Sequence, residues 1–294
     1  MVDQKQSFSN FRTISFVIII CTVCALTLSI LAEFLKKPQQ DAKELYRSKQ
    51  LLLAANILDY TGHFVLDGKI ATYNGYLTPY IGSSPPLAKT IEILEVFEQR
   101  VEARLVDDAG NLITFKEAGI RLEDYLRDHS KLGFSHLPLK LIYVVKSNTP
   151  SKTPYGYVIP VNGYGLWDAI YGYLGVSHNG DTVLGMTWYD QKETPGLGGE
   201  ISLPDWQKQF FGKVIFQKAL SGQTNFERAP LGIKVVKTTV KETYGNSPLA
   251  NSAVDGIAGA SITVSSVNEA LRASLNPYRP FLIKAHQNEV TIDD

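Results

Sequence analysis

From Thr13 to Ala32 the chain carries no charged residue, and Val17–Ile20 and Leu26–Leu31 are its densest apolar parts. About twenty helical residues rising 1.5 Å each cover roughly the 30 Å hydrocarbon core of a bilayer. Within lipid the backbone must satisfy its own polar groups, so this stretch is expected to be helical and to stand apart from any soluble core. A cleaved signal peptide is the rival reading. Its apolar region would be about 7 to 15 residues, ending at small residues, and Leu31-Ala32-Glu33 offers a poor cut. The expectation is a tail over 1–12 and a retained single-span anchor over 13–35.

Residues 36–62 then read as a linking helix, with Leu45, Leu52, Leu53, Ile57 and Leu58 set among charges from Asp41 to Tyr60. The soluble domain is expected over 63–294. Its stretch from Thr61 to Pro86, rich in Gly, Pro and Tyr, reads as loop. A helix is predicted over Leu87–Gln99, and a hairpin over Val101–Asp107 and Leu112–Phe115 around Asp108-Ala109-Gly110-Asn111. Arg121–His129 is expected to be helical. Strands follow at Leu139–Lys146, Tyr155–Pro160, Ala169–Ser177 and Thr182–Tyr189, the last two joined across Asn179-Gly180. Pro204–Phe211 suits a short helix and Gly232–Val240 another strand. Strands paired through hairpins with helices interspersed give the α+β class: one N-terminal transmembrane helix, then a mixed, largely antiparallel sheet domain with packed helices.

Charge excludes some functions. Lys plus Arg equals Asp plus Glu, 29 each, so no global field draws the chain to nucleic acid. The two cysteines, Cys21 and Cys24, share a helix face within the anchor and read as small helix-packing residues, since a cluster generally needs four protein ligands. His63, His129, His136, His178 and His286 show no metal-binding spacing, and no metal site is expected. No Gly-x-Gly-x-x-Gly opens a βαβ unit for a dinucleotide.

The stretch Asp255–Thr263 concentrates the candidate chemistry. Gly256 and Gly259 permit a tight turn, Ala260 keeps the approach to Ser261 uncluttered, and Ser266-Val267-Asn268-Glu269 has the form of a capping box. A hydroxyl ahead of a helix N-terminus suits a phosphate. Three other readings are set beside this one: a plain glycine turn before a capped helix, a hydrolase nucleophile at Ser261 with His178 as base, and a phosphate loop. Thr263 stands where the nucleophile elbow needs glycine. The phosphate-loop pattern is missing.

Three separated segments carry a resemblance. Asp255, Gly259, Ala260 and Ser261 match the Asp-x-x-Ser/Thr-Gly-Ala-Thr/Ser motif of the FMN-binding domain family, shared by the C subunit of sodium-translocating NADH:quinone reductases and the G subunit of Rnf complexes. Gly163-Tyr164-Gly165-Leu166-Trp167-Asp168 resembles the family's Gly-x-Gly-Leu-Trp segment. Glu193-Thr194-Pro195-Gly196-Leu197-Gly198-Gly199-Glu200 resembles its Glu-Thr-Pro-Gly-Leu-Gly core. Length and the Gly-Leu-Gly-Gly-Glu continuation resemble the C subunit of the reductases more than the Rnf protein. The chain departs from the motif in having Ala258 at the fourth position and Ser261, not threonine, at the acceptor.

The resemblance implies one FMN, esterified through its phosphate to Ser261 by a flavin transferase, with Thr263 as the alternative acceptor. It places the FMN-binding region at about 155–276. Leu166, Trp167, Thr194 and Leu197 would wall the ring, Gly163, Gly165, Gly196 and Gly198 would let main chain approach, and Glu193 would lie nearby in a structural role. No catalytic side chain is implied, since a carrier needs none. It further implies an electron-relay subunit of a bacterial inner-membrane complex that moves electrons from NADH toward quinone and exports sodium, with other membrane subunits as partners. Lys36, Lys37, Lys43, Arg47 and Lys49 follow the span while only Lys5 and Arg12 precede it, so basic residues taken literally put the soluble part in the cytoplasm. The family resemblance implies the periplasmic side. The equivalent subunit of an Rnf-type complex, a membrane-tethered serine hydrolase and a non-catalytic periplasmic module remain as alternatives.

Overall fold

The computed structural model describes the backbone of residues 3–292 and the side chains of residues 11–292. It divides into two compact units, Met1–Arg47 and Ser48–Asp294. Helix α1 is Asp3–Ala54, with Pro38 inside it. Its apolar portion is long and apolar enough to cross a membrane, and Phe16, Val17, Ile19, Leu26 and Leu31 are exposed along it. Cys21 and Cys24 are free thiols on this helix. The helix ends at Ala54, short of the expected Tyr60, because Asn56 turns into the left-handed region at φ 54°.

The second unit begins with a small antiparallel sheet of β1 (Phe64–Leu66), β2 (Lys69–Tyr73) and β3 (Leu77–Pro79). It replaces the loop that the sequence predicts here. The glycines lie in and beyond the turns, Pro79 ends β3 while Pro85 and Pro86 lie beyond it, and strands this short show little alternation. Helix α2 (Thr90–Arg100) leads into β4 (Val101–Val106), β5 (Leu112–Ile113), α3 (Leu122–His129), β6 (Lys140–Val145), β7 (Gly156–Tyr164), β8 (Ala169–Ser177) and β9 (Val183–Asp190). These strands form one antiparallel sheet in the order β5-β4-β6-β7-β8-β9. Short helix α4 (Pro204–Gln207) follows, then β10 (Lys234–Val235), α5 (Val240–Tyr244), β11 (Ala253–Val254), α6 (Ser261–Leu275) and α7 (Arg279–His286). The expected strand over 232–240 shrinks to the two residues of β10, which pair in parallel with β11. The chain is thus α+β with a mostly antiparallel sheet.

Both faces of the large sheet are covered, which is why β6 is buried at every position. On one face Ile142, Val144, Ile159, Val161, Leu174 and Trp188 pack with Val264, Val267, Leu271 and Leu275 of α6 and with Phe281 of α7. Alternation along a strand sends the intervening residues to the other face. There the last turns of α1, with Leu51, Leu52 and Ala54 wholly buried, sit directly over β8 and β9. Gly175 and Gly185 make this possible, since a Cβ on either would run into the backbone of Ala54.

That close approach is testable. Replacing Gly175 by Ala drives a methyl into the Ala54 carbonyl, and overpacking of this kind costs about 1–3 kcal/mol, outweighing alanine's better fit to a strand. The urea midpoint of unfolding is expected to fall accordingly. An unchanged midpoint would mean that α1 does not lie on this face.

Candidate functional site

The three motifs meet at one end of the large sheet, and a buried carboxylate joins them. Strands β7 and β8 are joined by a turn at Gly165–Asp168, closed by the Gly165 amide donating to the Asp168 carbonyl at 2.8 Å. Leu166 and Trp167 occupy the tip. Their amides donate to Glu193 Oε1 at 2.8 and 3.1 Å. The other oxygen, Oε2, accepts from the Thr263 hydroxyl in the first turn of α6. Glu193 is 5% exposed, and no ion pair reaches it among the described residues. Hydrogen bonds therefore stand in for the lost water, and the positive end of α6 beside it favours the charge. Gly165 and Gly198 are required by this packing: a Cβ on the first would strike Glu193, and on the second both Glu193 and the Thr263 hydroxyl.

Around this carboxylate the remaining motif residues find places. Thr194 accepts the Leu197 and Gly199 amides through its carbonyl, which closes the Pro195-Gly196 turn. Its hydroxyl accepts the Trp167 indole N–H at 3.2 Å. Leu197 lies against Gly259, where φ is +75°. Gly163 packs on Ala270, fixing β7 to α6, and Gly256 sits tight against the backbone of Val236 and Lys237. Asp255 is a brace: its Oδ1 accepts the Val240 amide at 2.7 Å and its carbonyl accepts the Trp206 indole N–H at 3.0 Å. At the hairpin tip Lys192 pairs with Asp168, an exposed contact that holds the Asp168 carboxyl below its ordinary pKa and the Lys192 ammonium above its own.

The helix start differs from expectation. Helix α6 begins at Ser261, so Ser266 and Glu269 lie inside it and form no capping box. Glu269 pairs instead with Arg272 at 2.8 Å. Ala260 occupies the cap position and supplies no side-chain cap, so the first amides of α6 lack an intrahelical acceptor and face outward. Ser261 is exposed at that end, with Ile262, Leu166, Trp167 and Leu197 exposed at 57%, 48%, 68% and 42%. A free hydroxyl beside uncapped amides, flanked by unpartnered apolar side chains, fits a flavin phosphate and ring. Thr263 faces the other way, buried on Glu193. Ile262 and Tyr164 are exposed within the motif stretches, but the sequence assigns them no role; a helix start at Ser266 hides Ile262.

The hydrolase alternative loses its base. His178 follows β8 at the end opposite the Leu166–Trp167 turn, about 25 to 30 Å away at 3.3 Å per residue, and its ring contacts the Ser177 hydroxyl.

Removing the central carboxylate has a defined cost. Glu193→Ala removes the acceptor of the half-buried Leu166 and Trp167 amides and strands the buried Thr263 hydroxyl, and a buried donor left unpaired costs about 1–3 kcal/mol. Glu193→Gln keeps an acceptor oxygen and is expected to lose less. Urea unfolding followed by tryptophan fluorescence checks this order. Equal stability of the alanine variant and the parent would overturn the role given to Glu193.

Comparison with known proteins agrees with this geometry. Residues 165–276 match the FMN-binding domain family, and that span holds all three motifs but for Gly163 and Tyr164. The chain is 38% identical to the C subunit of the Na+-translocating NADH-quinone reductase of Chlamydia caviae, over 93% of this chain and 92% of that protein. It is 37% identical to the corresponding protein of Chlamydia muridarum, over 96% and 95%. In fold it is similar to the crystal structure of the C subunit of the Na+-translocating NADH-quinone reductase from Parabacteroides distasonis, at a TM-score of 0.54 and 24% identity, covering 84% of this chain and 96% of that chain. With such identity along nearly the full length of both chains, and an FMN-binding domain enclosing the site, this chain belongs to the family of Na+-translocating NADH-quinone reductase C subunits.

Proposed function

We propose that the chain carries one FMN as a phosphoester on Ser261 and relays electrons as the C subunit of a membrane-bound sodium-translocating NADH:quinone reductase. The observation that carries this reading is the pairing of an exposed Ser261 hydroxyl at an uncapped helix N-terminus with an exposed apolar rim. Bound flavin supplies one-electron redox chemistry, which none of the side chains at the site provides. The residues do the rest. First-turn amides of α6 hold the phosphate, Leu166, Trp167 and Leu197 flank the ring, and Glu193 keeps these elements in register.

Ser261 is preferred to Thr263 as acceptor because the threonine hydroxyl is buried and already donated to Glu193. The exposed site leaves Ser261 open to a flavin transferase. It also leaves the bound ring open to the other subunits, which exchange electrons with it. The apolar part of α1 anchors the chain in the bacterial inner membrane as a single span, and the soluble unit faces the periplasm. A site open to solvent and outside the cytoplasm would lose a weakly bound flavin by mass action. A phosphoester makes retention independent of concentration.

Flavin fluorescence on a denaturing gel, followed by peptide mass mapping, is the direct test when the chain is made in cells containing the transferase. Ser261→Ala is expected to lose the fluorescent band while folding normally, since an exposed first-turn residue carries little packing. Ser261→Thr is expected to keep it. Thr263→Val should keep the flavin but lower the melting temperature, because it strands Glu193 Oε2. A flavin peptide that excludes Ser261 would refute the assignment.

A further inference from the structure

A cavity of about 320 Å³ opens where the end of α1 meets β9 and the segment after α4, and it shares no residue with the flavin site. Leu53, Leu58, Tyr60, Leu184, Phe211 and Gln207 stand in its wall, with Gly185, whose missing side chain lets the α1 backbone come down onto β9. The lining is mainly apolar, and the size is that of a small ligand pocket, about 300 Å³ or more. Its walls are fixed. The Tyr60 hydroxyl donates to the Met186 carbonyl at 2.6 Å, and Asp59 Oδ1 accepts the Thr61 and His63 amides at 2.9 and 2.8 Å.

The charges in this wall are already engaged. Asp59 also takes the Thr61 hydroxyl at 2.7 Å, and Lys208 pairs with Asp205 at 3.2 Å while lying 5.9 Å from the centre of the Tyr60 ring. A neutral guest is therefore favoured over an ion. Gln207 is 4% exposed, and its Nε2 donates to the Ile201 and Trp188 carbonyls at 3.1 and 3.5 Å. That sets the amide with its oxygen on the other side, and Oε1 accepts no hydrogen bond among the described residues. Asn56 lines the cavity too, but it is half-buried and reached by water. A buried acceptor left without a donor is costly, and the cavity is the side from which a donor can come. Two aromatic rings in the wall favour a ring as guest. We infer that this cavity binds a small neutral aromatic molecule carrying a hydroxyl or N–H group. Its ring lies against Tyr60, Phe211 and the leucines, and its donor pairs with Gln207 Oε1.

The test is fluorine NMR of the full chain in detergent, titrated with 4-fluorophenol and separately with 4-fluoroanisole, which keeps the ring but replaces the donor by a methyl ether. Detergent without protein sets the baseline. The parent chain is expected to bind 4-fluorophenol at one saturable site, and 4-fluoroanisole about fivefold more weakly for want of one hydrogen bond. Gln207→Leu keeps the apolar volume and is expected to erase that difference between the probes. Phe211→Ala should weaken both, and because Phe211 is 58% exposed its loss leaves the core intact. Four results would each overturn the inference: no saturable binding above the detergent baseline, equal affinity of the parent for both probes, a difference that survives Gln207→Leu in a folded chain, or binding that Phe211→Ala leaves unchanged.

Discussion

The site depends on one carboxylate. Glu193 accepts from two amides of the β7–β8 turn and from a hydroxyl of α6, so segments some 30 and 70 residues apart in sequence are referred to the same two oxygen atoms. A buried carboxylate is costly unless its lone pairs are used. Once they are used, the elements supplying the donors cannot shift independently. This constraint explains why the surrounding positions are glycines: larger residues at 165 or 198 would occupy the volume that the carboxylate and the Thr263 hydroxyl need.

The division of labour between core and rim follows. Everything that sets position is buried: Glu193, Thr263, and the face of α6 running through Val264, Val267, Leu271 and Leu275. Everything available to a ligand is exposed: Ser261, Ile262, Leu166, Trp167 and Leu197. The exposed groups sit on the β7–β8 turn, on the turn at Thr194–Gly199 and on the first turn of α6, which the sheet and Glu193 hold in place. A relay of electrons between subunits, as proposed, needs a cofactor held firmly yet reached from outside, and an exposed rim over a hydrogen-bonded base meets both demands.

Much of this is legible in the sequence because it rests on local patterns. The Asn179-Gly180 hairpin, the alternation along β8 and β9, and the apolar spacing of α6 are short-range signals, and the strands and helix stand close to where they point. Long-range relations are not legible. That Gly175 and Gly185 receive the end of α1, or that Thr263 donates to Glu193, depends on contacts that no local spacing encodes. The small sheet β1–β3 is missed for a related reason: strands of three to five residues hold too few alternating positions. The helix start is misplaced because Ser266 and Glu269 mimic a capping box, whereas the true cap position is Ala260, which carries no polar group.

That misplaced start matters more than its five residues suggest, because the register of a helix decides which hydroxyl is usable. Successive residues on an α-helix are separated by about 100°, so residues two apart point about 200° away from each other. With α6 beginning at Ser261, Ser261 and Thr263 must face opposite sides. The inward one is claimed by Glu193, and only the outward one stays free. Had the helix begun at Ser266, both hydroxyls would sit in flexible chain and neither would be distinguished. An uncapped start is the cost of this arrangement, since a serine or aspartate at position 260 would satisfy the very amides that an incoming phosphate needs. Alanine there leaves those donors open, and the helix is held instead by its apolar face on β7.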